Sequence, residues 1–228
     1  MGNICAGIVT FNPNIELLFQ NIETIIYQVE AVYIIDNGSA NCDDWISRAQ
    51  DIGVIILQNI SNKGIAAALN QLCRQALLDG FEYILTLDQD STCSDTLVAK
   101  LYSKAEKDVA VIGPNIVYKY NEDVADYKKT GIKEVGWVIT SASLTKLAVW
   151  VQIGGFDEKL FIDGVDRDFC IRARKAGYKI LKNYDTRLSH ELGNLTCRRV
   201  MNRDIYVTNH SAERKYYMAR NAIYLDKK

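Results

Sequence analysis

The chain reads as an α/β protein with a mostly parallel, Rossmann-like sheet flanked by helices, and three observations lead there. Short apolar runs of strand length alternate with segments whose apolar residues recur at helical spacing. Four of the early runs finish in polar residues, and Asn, Asp and Gly gather at the joints where turns are needed. Such alternation implies right-handed crossovers with helices on both faces of one sheet.

The elements follow in order. Ile4 to Phe11 is a strand closed by Asn12-Pro13, and Ile15, Leu18, Ile22, Ile25, Ile26 and Val29 carry a helix from Ile15 to Val29. Ala31 to Ile35 is a second strand, ended by the turn signal Asp36-Asn37-Gly38-Ser39 and followed by a helix from Asp43 to Gln50. Gly53 to Leu57 is a third strand. Asn62-Lys63-Gly64 opens a helix through Leu78 whose Ala66-Ala67-Ala68 face is small enough to lie close to a sheet. Tyr83 to Leu87, a helix from Asp95 to Lys107, and Val109 to Gly113 complete the first half. Beyond Pro114 the rhythm breaks. Asn115 to Lys133 is polar and rich in Tyr and Lys, as an excursion or a pair of edge strands would be, and Val135 to Thr140 is apolar again. Short helices are expected at Ser143 to Trp150 and Asp166 to Gly177, with Gly177 as cap before a strand Tyr178 to Leu181. His210 to Leu225 reads as a last amphipathic helix.

The 228 residues, 48% hydrophobic and 24% charged, suit one compact domain with a large core. No apolar run reaches the ~20 residues of a membrane span, and the start lacks the pattern of a signal peptide, so a cytoplasmic protein is expected. Six scattered cysteines without a CxxC pair speak against disulfides and structural zinc. The net charge of −1 hides an asymmetry: residues 193–228 hold eight Lys/Arg against three acids, +5, leaving −6 for the rest. A basic end on an acidic body fits an anionic partner, a pyrophosphate or the inner face of a membrane touched peripherally, while a solvated helix face explains any one residue equally well. No nucleic-acid motif is present.

The most informative stretch is Tyr83-Ile84-Leu85-Thr86-Leu87-Asp88-Gln89-Asp90-Ser91, an apolar strand ending in two carboxylates one residue apart. Buried carboxylates cost several kcal/mol each unless paired or bound to metal, roughly. At the carboxyl end of a strand the pair reads either as a divalent-metal and phosphate site or as a solvated turn with Ser91 or Ser94 capping the next helix. The other polar strand ends are Thr10-Phe11-Asn12, Asp36-Asn37, and Gln58-Asn59 with Asn62-Lys63-Gly64. In a parallel sheet these lie on one side and can converge on one ligand, Asp36 accepting from a base or ribose and the Asn62-Lys63 turn receiving oxygens at a helix N-terminus. Neither a P-loop nor GxGxxG occurs, which removes the main support for common ATP and NAD sites.

Taken in order, Val9-Thr10-Phe11-Asn12, Asp36-Asn37-Gly38-Ser39, Asn62-Lys63-Gly64-Ile65-Ala66, Leu87-Asp88-Gln89-Asp90, Gly154-Gly155-Phe156-Asp157-Glu158 and Asp166-Arg167-Asp168-Phe169-Cys170-Ile171-Arg172 resemble a family-two glycosyltransferase over nearly the whole chain. The resemblance implies the GT-A fold as a single domain. Residues 1–114 would bind the nucleotide-sugar, 115–210 would form an acceptor and catalytic half with a small additional sheet, and 211–228 would be a C-terminal helix. It implies a Mg²⁺ or Mn²⁺ cofactor held by Asp90, as in the family's DXD motif, with His190 as a further contact. Thr10, Asn12, Asp36, Asn62, Lys63, Gly64, Asp88 and Gln89 would bind the nucleotide-sugar. Asp166 would be the catalytic base of an inverting transfer, which an ordinary Asp with a reference pKa near 3.9 can be at neutral pH. Many relatives carry Glu-Asp where this chain has Val165-Asp166, which makes Asp163 a rival; Asp168 reads as a cap of the helix that follows.

Phe161-Ile162-Asp163-Gly164-Val165-Asp166 and Arg214-Lys215-Tyr216-Tyr217-Met218-Ala219-Arg220-Asn221 look like bacterial rhamnosyltransferases of cell-surface polysaccharide synthesis. That implies dTDP-L-rhamnose as donor and a saccharide or lipid-linked acceptor, with Asp163, Arg214, Tyr217 and Arg220 contacting acceptor or diphosphate. Relatives continue some tens of residues past the position of Lys228, so part of the acceptor or membrane-contact region is expected beyond it. Competing readings are a UDP-sugar-dependent enzyme of the same fold, a nucleotide-sugar-binding subunit without transfer activity, and a phosphoacceptor domain of response-regulator type. The last expects a later strand followed by lysine and a chain about half as long.

Overall fold

The structure is a computed structural model that describes residues 3–118, 129–190, 195–200 and 203–228; for some strand residues, His190 among them, it describes the backbone alone. An eight-stranded sheet forms the centre. Its strands are β1 (Ile4–Thr10), β2 (Ala31–Asp36), β3 (Ile55–Gln58), β4 (Tyr83–Asp88), β5 (Val109–Tyr118), β6 (Ile132–Glu134), β7 (Ser143–Lys146) and β8 (Lys179–His190), in spatial order β3-β2-β1-β4-β7-β5-β8-β6. The pairs β1/β2, β1/β4, β2/β3 and β5/β8 are parallel, whereas β7 and β6 run antiparallel to their neighbours. Two further strands, β9 (Leu195–Val200) and β10 (Arg203–Thr208), pair as a separate antiparallel ribbon, the small additional sheet of the second half.

Helices cover both faces because both faces of the central strands are apolar. On one side α1 (Ile15–Ile25), α2 (Ile46–Asp51) and α4 (Leu97–Tyr102) bury Leu18, Ile22, Ile25, Trp45, Ala49, Leu97 and Leu101 against Ile8, Ile34 and Leu85. On the other α3 (Ile65–Leu78), α5 (Leu147–Gln152) and α6 (Val165–Lys175) bury Ala68, Leu72, Trp150, Phe169 and Ala173 against Tyr33, Ile84 and Val111. Each such Leu or Ile removed from water stabilises by about 1.5–3 kcal/mol. The alanine face of α3 does what its size suggests, lying fully buried on the sheet. The last helix, α7 (Ala212–Asp226), starts at Ser211, whose hydroxyl accepts from the Arg214 amide at 3.2 Å.

Several boundaries differ from the sequence expectations. The helix expected at Ser143 to Trp150 is split: Ser143–Lys146 is a strand inserted between β4 and β5, and only Leu147–Gln152 is helical. Ser143, Leu144 and Thr145 are buried between two strands, and the Ser143 hydroxyl donates to the Ile139 carbonyl, so pairing outweighed local helix preference. The Asp43 to Gln50 helix is a short 3₁₀ turn at Cys42–Asp44 followed by α2, and the Asp95 to Lys107 helix shrinks to α4. Neither Ser91 nor Ser94 caps α4: Thr96 stands at its start without a side-chain bond, and Ser91 Oγ lies 2.8 Å from Ser141 Oγ. The strand expected at Tyr178 to Leu181 extends to His190, because β5 pairs with it along its length. Most of the excursion between Asn115 and Lys133 lies outside the described residues.

Candidate active site

The strand order reverses at β1: β2 and β3 lie to one side of it and β4 to the other, which opens a crevice at the carboxyl ends of β1 and β4. Val9 is in register with Asp88 across that pair, and the Phe11 amide donates to Gln89 Oε1 at 2.9 Å, so the two strand ends are tied together. Asp36 ends β2 with 1% exposure. Its Oδ1 accepts from Thr10 Oγ1 at 3.2 Å and from the Ser39 hydroxyl, and its Oδ2 accepts from the amides of Gly38 at 3.2 Å and Ser39 at 3.0 Å. A carboxylate has about four acceptor positions, and all four are used. Asp36 therefore organises the turn that a nucleotide would meet. Asn12, in the left-handed region at φ 48, closes the same turn by accepting from the Ala40 amide at 2.8 Å.

A second network holds the Asn62 turn. Asn37 Nδ2 donates to Asn62 Oδ1 at 2.9 Å, and Asn37 Oδ1 accepts from Asn59 Nδ2 at 3.0 Å and from the Lys63 amide at 3.1 Å. Asn59 in turn exchanges two amide bonds with Gln71 on α3. Asn62 and the Lys63 side chain stay exposed at the mouth of the crevice. Gly64 has φ 84, and a Cβ there would come within 2.6 Å of the Phe161 carbonyl oxygen and ring. Its neighbour Ile65 donates its amide to that same carbonyl at 2.7 Å, so one of the free donors of the α3 N-terminus is already used by the second half of the chain.

The carboxylate pair sits where the sequence puts it, at the end of β4. Asp88 is half-buried, its carbonyl accepts from Asn21 Nδ2 at 2.7 Å, and Asp90 is exposed two residues on. Asp166 lies in the first turn of α6 and is half-buried; burial pushes its carboxyl above the usual range, and the charges of Asp88 and Asp163 push the same way against hydrogen bonding from the Arg167 amide, 2.8 Å away. The acidic strand end and the expected base thus share one field. That donor set fits a hard divalent cation: oxygen ligands only, one of them exposed, in a negative field that a cation would relieve. Among the described residues no three His, Cys, Asp or Glu side chains group closely enough to hold a metal by themselves. The side chain of His190 lies outside the described residues.

The loop before α6 is held in an unusual shape. Asp163 has φ 66 and Gly164 φ 83, and a non-glycine residue in that region costs of order 1 kcal/mol or more. Asp163 is forked by Arg214, Nε to Oδ2 at 3.1 Å and Nη2 to Oδ1 at 3.0 Å. Tyr217 stacks on Phe161 with ring centroids 4.9 Å apart, and the Arg220 guanidinium lies 4.7 Å over Tyr217 while donating to the Lys159 carbonyl. Arg214, Tyr217 and Arg220, expected to face acceptor or diphosphate, therefore each contact the protein. Asp168, expected as a cap, binds Arg172 at 2.7 Å and Lys228 at 2.7 Å instead, and Gly164 is the N-cap residue. Asn221, which closes the C-terminal motif that begins at Arg214 but carries no expected role, is 2% exposed and donates to the Ile162 and Asp163 carbonyls, both at 2.7 Å. Its place at the end of that motif is the signal the sequence offers for it.

Known proteins share this fold. A structure of GalNAc-T7 with UDP, GalNAc and Mn²⁺ superposes with a TM-score of 0.69 at 14% identity, over 89% of this chain and 45% of that one. The mannosyltransferase PcManGT from Pyrobaculum calidifontis, in complex with GDP-Man and Mn²⁺, gives 0.63 at 18% identity, over 82% and 56%. The chain thus spans about half of these solved structures and shares their GT-A fold. The dTDP-rhamnosyl transferase RfbF of Shigella flexneri is 30% identical across 99% of this chain and 80% of its own length. The uncharacterized protein Rv1525 of Mycobacterium tuberculosis is 28% identical across 57% of this chain and 53% of its own. The sequence model of Glycosyl transferase family 2 matches residues 5–181, and with the carboxylate-bearing strand ends, the shared fold and the RfbF relationship in place, the chain belongs to glycosyl transferase family 2.

Proposed function

We propose that the protein is an inverting, divalent-metal-dependent glycosyltransferase that moves L-rhamnose from dTDP-L-rhamnose to a saccharide or lipid-linked acceptor of a bacterial cell-surface polysaccharide. The observation that carries the reading is the half-buried Asp166 carboxylate at the α6 N-terminus, close enough to Asp88 at the end of β4 for their charges to act on each other. The family membership supports transfer, and the RfbF relationship supports the rhamnosyl donor.

Asp166 takes the acceptor hydroxyl proton as the acceptor oxygen bonds to the anomeric carbon and the bond from that carbon to the diphosphate oxygen breaks, its electron pair leaving with dTDP. A carboxyl held above its ordinary pKa is a stronger base for this step. Asp90, with His190, would hold Mg²⁺ or Mn²⁺, which when bound supplies positive charge to the diphosphate leaving group. Asn62, Lys63 and Gln89 orient the nucleotide-sugar at the crevice mouth, the Asn62 turn held by Asn37 and Asn59 and the neighbouring Asp36–Ala40 turn by Thr10, Asn12 and Asp36. Among the described residues no helix is long and apolar enough to cross a membrane. Cys5, Cys42, Cys73, Cys93 and Cys170 are free thiols, which supports a reducing, cytoplasmic setting for the soluble donor.

Titration calorimetry with Mn²⁺ and dTDP-rhamnose, UDP-glucose, UDP-galactose or UDP-N-acetylglucosamine tests the donor. Binding of dTDP-rhamnose at least tenfold tighter than the others, roughly one good contact's worth of free energy, is expected. Preference for a UDP-sugar would replace the rhamnosyl assignment. Tight donor binding with neither transfer nor slow hydrolysis would point to a binding subunit instead.

A further inference from the structure

Residues 157–164 link the Gly-Gly-Phe turn to α6, and α7 contacts them from end to end. Tyr224 Oη and Lys228 Nζ both reach Asp157 Oδ2 at 2.8 Å, Arg220 donates to the Lys159 carbonyl, and Tyr217 stacks on Phe161. Asn221 bonds two successive carbonyls, Ile162 and Asp163, and Arg214 forks the Asp163 carboxylate. The last two contacts fall on the residues whose backbone is left-handed, immediately before the helix that carries Asp166. The opposite side of the loop meets the donor half, where the Phe161 carbonyl receives the Ile65 amide and its ring abuts Gly64. A backbone in a sparsely populated region persists only where its surroundings over-determine it, and here α7 supplies that determination.

We propose that Asn221 and Arg214 are positioning residues for Asp166, fixing the left-handed Asp163-Gly164 corner so that α6 presents its carboxylate to the crevice at a set distance from the donor loop. Both act through the loop and touch no substrate. The inference rests on the reading of Asp166 as the base.

Asn221→Asp is close to isosteric and puts an acceptor against two carbonyls, so it removes the bonds and keeps the volume. Hydrolysis of dTDP-rhamnose with Mn²⁺ should fall about 30–100-fold in kcat, the size expected for an ångström-scale misplacement. Donor Kd by calorimetry should stay within about threefold, since the bonds that Asn221 donates end on the Ile162 and Asp163 carbonyls. Arg214→Lys should keep more turnover than Arg214→Met. Tyr224→Phe loosens the same helix at its far end and should leave kcat within about twofold. Amide hydrogen exchange across residues 161–168 should accelerate in Asn221→Asp and not in Tyr224→Phe. Unchanged exchange in Asn221→Asp, or an equal kcat loss in Tyr224→Phe, would overturn the positioning role. Asp166→Asn is measured alongside: full turnover there removes the base reading and this inference with it, whereas loss in Asp166→Asn but not in Asn221→Asp overturns the positioning role alone.

Discussion

The two halves of the molecule hold their functional loops by different means. In the first half two turns are fastened by polar side chains from neighbouring strand ends: Thr10, Asp36 and Ser39 close one, and Asn37, Asn59 and Asn62 close the next. In the second half the loop before Asp166 is contacted by a helix some fifty residues later, through Arg214 and Asn221. The first arrangement is local and redundant. The second hangs on a few long-range contacts, so under the proposed function donor binding is expected to survive changes that lower turnover.

The contrast is sharpest where one carboxylate is removed from each half. Asp166→Asn should lower turnover by about 10³-fold, within the range for loss of a general base, while donor affinity stays within about threefold. Asp90→Ala should do the reverse in emphasis, weakening Mn²⁺-dependent donor binding at least tenfold, roughly what losing one metal ligand costs. Calorimetry beside single-turnover kinetics separates the two, and a variant that damaged both quantities equally would blur the division. Gly64→Ala attacks the seam between the halves. The new Cβ would collide with Phe161 backbone and a positive φ would be strained, so thermal unfolding should report a loss of about 2–3 kcal/mol.

Smaller effects probe α7 alone. Burial pushes the Asp157 carboxyl up, but Lys228, Tyr224 and the Lys159 amide outweigh it and hold the pKa at about 2, below the ordinary 3.8. A depressed folded pKa stabilises above the unfolded value and is lost as pH falls through the folded one. Asp157→Asn should therefore cost roughly 2 kcal/mol at neutral pH, and the difference from wild type should shrink between about pH 4 and pH 2. Urea unfolding across that range checks it. The least effect expected is on the acid limb of turnover. Because Asp166 sits above an ordinary carboxyl and Asp163 contributes to that, Arg214→Met should move the limb to higher pH and Asp163→Asn to lower pH.

Much of the donor half was legible because its information is local. Apolar runs of strand length and the period-3.6 pattern placed β1, β2, α3 and β4, and Asp88, Asp90 and the Asn62 turn were read from where those strands end. Ser143–Lys146 was not legible as a strand, since its pairing partners β4 and β5 come earlier in the chain and its Leu-Thr-Lys continues smoothly into a true helix. Nor was the part played by Arg214, Tyr217 and Arg220, whose residue types suit an anionic ligand as well as a protein loop. Their partners in the structure are Asp163, Phe161 and the Lys159 carbonyl.

The bond from Ile65 to the Phe161 carbonyl, with Gly64 pressed against the same residue, bears on how such chains can be recombined. A chimera that exchanged only the first 114 residues between relatives would join a donor loop to a Phe161 segment it was not shaped for. Viable crossovers should carry residues 61–66, 156–166 and 211–228 as one inherited block, although they lie far apart in the chain.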